Sequence, residues 1–330
     1  MRAVRSLRSL LPLVALASLG TAACGGEDFE PASRIQGVRV LAVKKSAPYA
    51  KPGEKVELEI LYWDGKSHPD EQRPIDVTWF GGCKNPAGDL YYGCYPQLAQ
   101  LFTGQPSGDL LELVGKGNRF EVTIPEDVIS SKPAPLDGSP PYGLSYVFFT
   151  ACSGEIGPAP SGGEGGEAAL PIACYGPGGE RLGSDEFVPG YTSIYAYEEL
   201  RNENPVVHDF LFDGQGIGDE PLRIARCEGK SCRKYELRAL IDRSSAELDP
   251  IAQPLSDGTP IQEQLWVNYY ATRGNIERAV RLVNDATKGW NDQHEAQWEV
   301  PREPGTVVLW AVVRDNRGGV EWKERRVIVE

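Results

Sequence analysis

Lys55-Val-Glu-Leu-Glu-Ile-Leu-Tyr-Trp63 alternates polar and apolar side chains, so that Val56, Leu58, Ile60 and Tyr62 fall on one face. A period of two is the mark of a half-buried antiparallel strand, because successive side chains of an extended chain point to opposite sides. Pro52-Gly53 and Asp64-Gly65 punctuate it at either end. Working outward, similar short runs recur at residues 38–43, 76–80, 120–124, 145–150 and 191–197. A second series follows at residues 206–212, 235–241 and 264–270. It closes with a hairpin of residues 306–313 and 320–329 across Arg314-Asp-Asn-Arg-Gly-Gly319, whose Asp, Asn and Gly suit a turn. Short strands between Gly and Pro turns predict an all-β chain of two antiparallel β-sandwiches.

At 330 residues the chain has room for two cores, and Leu200-Arg-Asn-Glu-Asn-Pro205 is the polar, proline-ended stretch that best divides them. The expected organisation is a signal peptide over residues 1–23 and a tether over 24–34. The first sandwich spans 35–200, a linker 201–205, and the second sandwich 206–330. Few contacts are expected to cross the linker, each half holding its own core. The formal charge of −13 excludes a nucleic-acid binder of the ordinary kind, since phosphate contacts need clustered Lys and Arg.

The leader is sharply defined. Arg2, Arg5 and Arg8 precede the apolar stretch Leu10-Leu-Pro-Leu-Val-Ala-Leu-Ala17, and small residues then lead to Ala22-Ala23-Cys24. That order is an export signal, too short and too rich in small residues for a membrane span. Its ending resembles the lipobox of bacterial lipoproteins, with Thr21 where that family usually has Leu. The resemblance implies cleavage before Cys24 and acylation of its thiol; cleavage at the small residues without acylation is the alternative. Setting Cys24 aside leaves six cysteines of seven, in three sequence-local pairs: Cys83 with Cys94, Cys152 with Cys174, and Cys227 with Cys232. Other connectivities stay open to six cysteines, and proximity is the reason for this choice. Export favours disulfides over metal thiolates.

The strand Val307-Val-Leu-Trp-Ala-Val-Val-Arg-Asp315, followed by Gly318-Gly319 and the last strand, resembles the ending of a PKD-like module. Gly37-Val-Arg-Val-Leu-Ala-Val43 through Pro52-Gly-Glu-Lys-Val-Glu-Leu58 resembles the opening strands of such a module. Together with the lipobox, the chain resembles myxobacterial-type lipoproteins carrying immunoglobulin-like and PKD-like sandwiches, a group with no common activity to carry over.

Chemistry is sparse. No nucleophile elbow, zinc-protease, phosphate-loop or dinucleotide motif occurs, and His68, His208 and His294 are scattered. Asp213, Asp219 and Glu220 lie among three glycines and form a weak Ca²⁺ candidate. Their spacing fits no calcium loop, so solvated acids on a glycine-rich turn are the better reading. Tyr91, Tyr92 and Tyr95 lie in or beside the first cysteine loop, where aromatic rings either stack on a ligand or pack back onto their own sandwich.

The expectation is thus a non-enzymatic, lipid-anchored protein of the bacterial cell envelope. It would sit in the outer membrane facing the periplasm or the cell surface, and would need no cofactor. The membrane is its partner through acyl chains at Cys24, and an envelope protein or polysaccharide is its expected ligand. The alternatives are a carbohydrate-binding surface module using Tyr91, Tyr92 and Tyr95, and a glycosidase-like hydrolase with two carboxylates meeting across a cleft.

Overall fold

The alternating stretch at residues 55–63 is a strand, and Val56, Leu58, Ile60 and Tyr62 point together into one core. The computed structural model describes residues 31–102, 113–160, 170–216, 218 and 220–330. The leader, Cys24, residues 25–30 of the tether, residues 161–169 and Asp219 lie outside the described residues. The first half contains β1 (Val38–Lys45), β2 (Tyr49–Ala50), β3 (Lys55–Asp64), β4 (Asp76–Lys84), β5 (Val114–Lys116), β6 (Arg119–Thr123) and β7 (Gly143–Cys152). It continues with β8 (Glu155–Pro158), β9 (Ile172–Tyr175) and β10 (Phe187–Ala196), and carries the short helix α1 (Tyr95–Gln100). The second half contains β11 (Val207–Phe212), β12 (Gln215–Gly216), β13 (Leu222–Ile224), β14 (Lys234–Ile241), β15 (Leu265–Ala271) and β16 (Asn275–Glu277). The remaining strands are β17 (Val280–Asp285), β18 (Gly289–Trp290), β19 (Ala296–Glu299), β20 (Gly305–Asp315) and β21 (Val320–Val329).

Both halves follow one plan. The first stacks a sheet of order β1-β3-β6 on one of order β2-β10-β7-β4-β5. The second stacks β12-β11-β14-β19-β16 on β13-β21-β20-β15-β17-β18. In each half the chain opens in one sheet and then crosses to run parallel beside the last strand of the other, as β2 beside β10 and β13 beside β21. All other strand pairs in the sandwiches are antiparallel, and the class is all-β with two immunoglobulin-like sandwiches. Trp79 is fully buried on β4, the strand where immunoglobulin sandwiches carry their core tryptophan, and its Nε1 donates to the Gly117 carbonyl at 2.8 Å.

Two strands depart from simple alternation. All ten residues of β7 are buried, and so are the seven consecutive residues Val307–Val313 of β20. Such strands are covered on both faces, which is why their sequences read as continuous apolar runs. On β7, Val147, Phe149 and Ala151 fill the sandwich core, while Leu144, Tyr146 and Phe148 join a second cluster on the outer face. On β20, Val307, Leu309, Ala311 and Val313 fill the second core, while Val308, Trp310 and Val312 face the other way.

That outward face of β20 meets the first sandwich. Val308, Trp310, Val312, Tyr270 and Val320 cluster with Ile35, Leu41, Ala42 and Trp63, and the Trp63 and Trp310 ring centroids lie 5.1 Å apart. The expectation of few contacts across residues 201–205 is therefore corrected. Asn202 is 3% exposed and donates to Asp315, while Asn204 donates to the Lys45 carbonyl and accepts from the Val320 amide. The connector is stitched into both sandwiches. The described end of the tether is also fixed: Ala271 N donates to the Ser33 carbonyl at 3.1 Å, and Ile35 is buried in the shared cluster. A polar, proline-ended sequence looks like a loose linker, but Asn204 satisfies two backbone groups at the seam and Asn202 pairs with the Asp315 carboxylate.

Candidate functional site

The described parts of two long insertions in the first sandwich pack on the outer face of the β2-β10-β7-β4-β5 sheet. The first, between β4 and β5, contains α1 and is closed by Cys83–Cys94; the second, between β7 and β10, contains the β8–β9 hairpin and is closed by Cys152–Cys174. The third disulfide, Cys227–Cys232, closes a small loop before β14. All three are the sequence-local pairs. The insertions approach from the two ends of the sheet, and their apolar residues (Leu98, Ile156, Leu170 and Ile172) pack with Phe80, Leu144 and Phe148 beneath.

Between them an aromatic groove of about 390 Å³ stays open. Tyr91 and Tyr95 line it from the first insertion and Leu170 from the second. Its floor is formed by Phe148, Pro189, Gly190 and Tyr191 of the sheet. Tyr91 stacks on Tyr191 with centroids 4.4 Å apart and planes 20° from parallel, and Tyr95 meets Tyr91 edge-on at 6.0 Å. Gly190 lies directly opposite Phe149 across the β10–β7 ladder; a Cβ there would sit 2.4 Å from the Phe149 ring. Glycine at this point lets the Phe149 ring lie under β10.

The loop that presents the tyrosines is held by charge. Asp89, with a φ of +57°, accepts from Lys132 at 2.7 Å and from the Tyr142 hydroxyl at 2.6 Å, and its carbonyl accepts from Tyr146 at 2.7 Å. Burial pushes the Asp89 carboxyl upward, but the Lys132 and Tyr142 hydrogen bonds outweigh it and hold it below the usual range. Burial pushes the Tyr146 hydroxyl up to about 12, so it stays a neutral donor at physiological pH. The described residues lining the groove are aromatic or apolar, with no acid among them.

The structure brings Tyr91 and Tyr95 into the groove. Tyr92 meets Tyr91 edge-on at 5.8 Å, but it is exposed and is not part of the lining. Tyr191 and Phe148 were not singled out from the sequence. The signal was present in the alternation Tyr191-Thr-Ser-Ile-Tyr195, which puts both tyrosines on the face opposite Ile194 and Ala196. Of the Ca²⁺ candidate, Asp219 lies outside the described residues, and no metal-holding cluster of three or more His, Cys, Asp or Glu occurs among the described residues. Asp213 accepts from Arg233 and from the Glu236 amide, whereas Glu220 lines a crevice with Arg325 and Arg326. The histidines are apart: His68 lies beside Asp70, His208 beside Asp242, and His294 is buried against the Asn291 and Ala239 carbonyls.

No family model and no curated protein matches the chain. Among solved structures it is similar to the tandem Ig repeats of Dlar (TM-score 0.24, 9% identity, covering 89% of this chain and 98% of that one). It is also similar to the N-terminal Ig1-2 module of the Drosophila receptor protein tyrosine phosphatase DLAR (TM-score 0.24, 10% identity, 89% and 99% covered). A third likeness, at TM-score 0.22 and 11% identity, is to Escherichia coli alpha-2-macroglobulin, with 89% of this chain and 22% of that chain covered. Scores this low carry nothing about function, and the fold class rests on the sheet topology. No helix among the described residues is long and apolar enough to cross a membrane, and the three disulfides suit an oxidising compartment.

Proposed function

We propose that this protein is a non-enzymatic binding module of the bacterial cell envelope, anchored by acyl chains at Cys24, and that the tyrosine groove grips a sugar ring of an envelope polysaccharide. The observation that carries the reading is the Tyr91–Tyr191 stack in an open groove whose described lining is mainly aromatic and contains no acid. Flat, half-exposed aromatic faces with fixed orientation suit the apolar face of a pyranose, and they lose little side-chain entropy when they bind. Tyr191 is 45% exposed although it stacks, so one part of its surface is spoken for and another is free.

Two experiments test the two parts separately. Tyr191→Ala is expected to weaken binding to the neutral or acidic oligosaccharide that the protein retains on a glycan array by about tenfold or more. That corresponds to the ~1.4 kcal/mol or more expected of an aromatic at the centre of a contact. Unchanged affinity would remove the groove from the account. Replacing Cys24 by Ser is expected to move the protein from the membrane fraction to the soluble one, and persistence in the membrane would remove the anchor. The second outcome is independent of the first.

A further inference from the structure

Tyr191, which lines the groove, also lines a second recess of about 250 Å³ in the seam between the sandwiches, whose walls include Lys45, Ser193, Arg314, Asp315 and Gly319. Lys45 is 5% exposed, yet among the described residues its Nζ makes one hydrogen bond, to the Ser193 carbonyl at 3.0 Å, and no ion pair. An ammonium carries three donors, and taking it out of water without a counter-ion is costly. Asp315 is the one acid in the described lining, and it is committed elsewhere. Its Oδ1 accepts from the Arg317 and Gly319 amides at 2.7 and 2.8 Å, and its Oδ2 accepts from Asn202 at 3.2 Å. Arg314 adds a second cation, held by Asn268 at 3.0 Å and by the Leu41 carbonyl, with further N–H donors beyond these.

Burial brings Lys45 down to about 8, with Asp315 pulling the other way, so the amine is still mainly cationic at pH 7. The recess is thus locally cationic on a chain of net charge −13. One buried ammonium with an adjacent committed carboxylate matches a monoanion better than a phosphate monoester, which carries about −1.5 to −2.

We propose that this recess receives a carboxylate borne by the sugar that stacks in the groove, so that the ligand is an acidic polysaccharide rich in uronic acid. The inference rests on the groove reading above, and it adds a specificity determinant, Lys45, with Arg314 beside it. In this arrangement the rings supply the contact area, while the amine rejects neutral sugars by remaining buried and unpaired when they bind.

The test compares tetramers of galacturonate, glucuronate and mannuronate with their methyl esters, by calorimetry on the whole protein. Esterification removes the charge and keeps the ring. At least one acid is expected to bind ten or more times tighter than its ester. Lys45→Met, which keeps the apolar stem, is expected to abolish the preference for that acid over its ester. Esters that bind as well as their acids would overturn the carboxylate inference and leave the groove standing. If neither acid nor ester bound, both readings would fall. The comparison on the unmodified protein decides the matter even if Lys45→Met did not fold.

Discussion

Trp310→Ala is expected to destabilise the whole protein by about 3–5 kcal/mol, the range for deleting a large buried side chain that leaves a cavity. Trp310 is fully buried, packs against Trp63 of the other sandwich, and donates from Nε1 to Glu324 at 3.1 Å. Its loss should therefore be felt in both halves. One cooperative denaturant transition at a lower midpoint is the expected result, whereas two separated transitions would show that the sandwiches are coupled weakly. A fragment of residues 203–330 probes the same seam from the other side. Freed of its neighbour it exposes Tyr270, Val308, Trp310, Val312 and Val320 as one apolar surface. Contiguous exposed patches of that kind are an aggregation liability. The fragment is expected to precipitate or to melt without cooperativity, and a soluble, cooperatively folding fragment would show that the seam is dispensable.

Arg317→Met is expected to cost about 3–5 kcal/mol at pH 8, the penalty for leaving a buried charge without its partner. The Arg317 Nε donates to Glu263 at 2.8 Å and its Nη2 to Glu247 at 2.5 Å, and Glu263 is fully buried. Burial pushes the Glu263 carboxyl up to about 7, against the pull of Arg317 downward. A carboxyl raised in the folded state keeps its proton while the unfolded chain loses it. Its contribution to stability is therefore neutral at low pH and turns unfavourable as pH climbs from the ordinary glutamate range to about 7. Without Arg317 the carboxyl rises further and the loss deepens. Most of the cost should thus disappear at pH 5, and Glu263→Gln in the Arg317→Met background should flatten the difference between pH 5 and pH 8. Denaturant titrations at the two pH values check this; equal losses at both would exonerate Glu263.

The individual strands were largely legible because each carries its own period. Residues 55–63 alternate and form β3, while residues 306–313 run unbroken and form the body of β20. What alternation cannot report is a partner for the second face. The run Val307–Val313 lacks outward polar residues, and that lack is itself the sign of a covered face. The seam escaped notice because residues 201–205 are polar, and polarity describes a loose linker and a hydrogen-bonded splice equally well. The site was half legible for a similar reason. Tyr91 and Tyr95 drew attention by crowding in sequence, whereas Tyr191 and Phe148 reach the same groove through strand register, which depends on pairing across β7 and β10. Lys45 offered no sequence signal at all, since a lysine at a strand end is ordinarily solvated.

The parallel splices at the ends of each sandwich have a mechanical meaning. Tyr49 and Ala50 run beside Tyr195 and Ala196, and Leu222–Ile224 run beside Val327–Val329. A hairpin pulled at its two tails unzips, and its hydrogen bonds fail in turn under a small force. Parallel neighbours drawn from opposite ends must slide along each other, so every bond in the patch is loaded together. Both ends of each sandwich are fastened in this second way, with the Arg226 amide donating to the Glu330 carbonyl and the Glu330 amide to Ile224 as further stitches at the carboxyl end. Drawn apart by its two chain ends, each sandwich is loaded in shear across this closure, the direction in which a small patch of strand pairing is strongest.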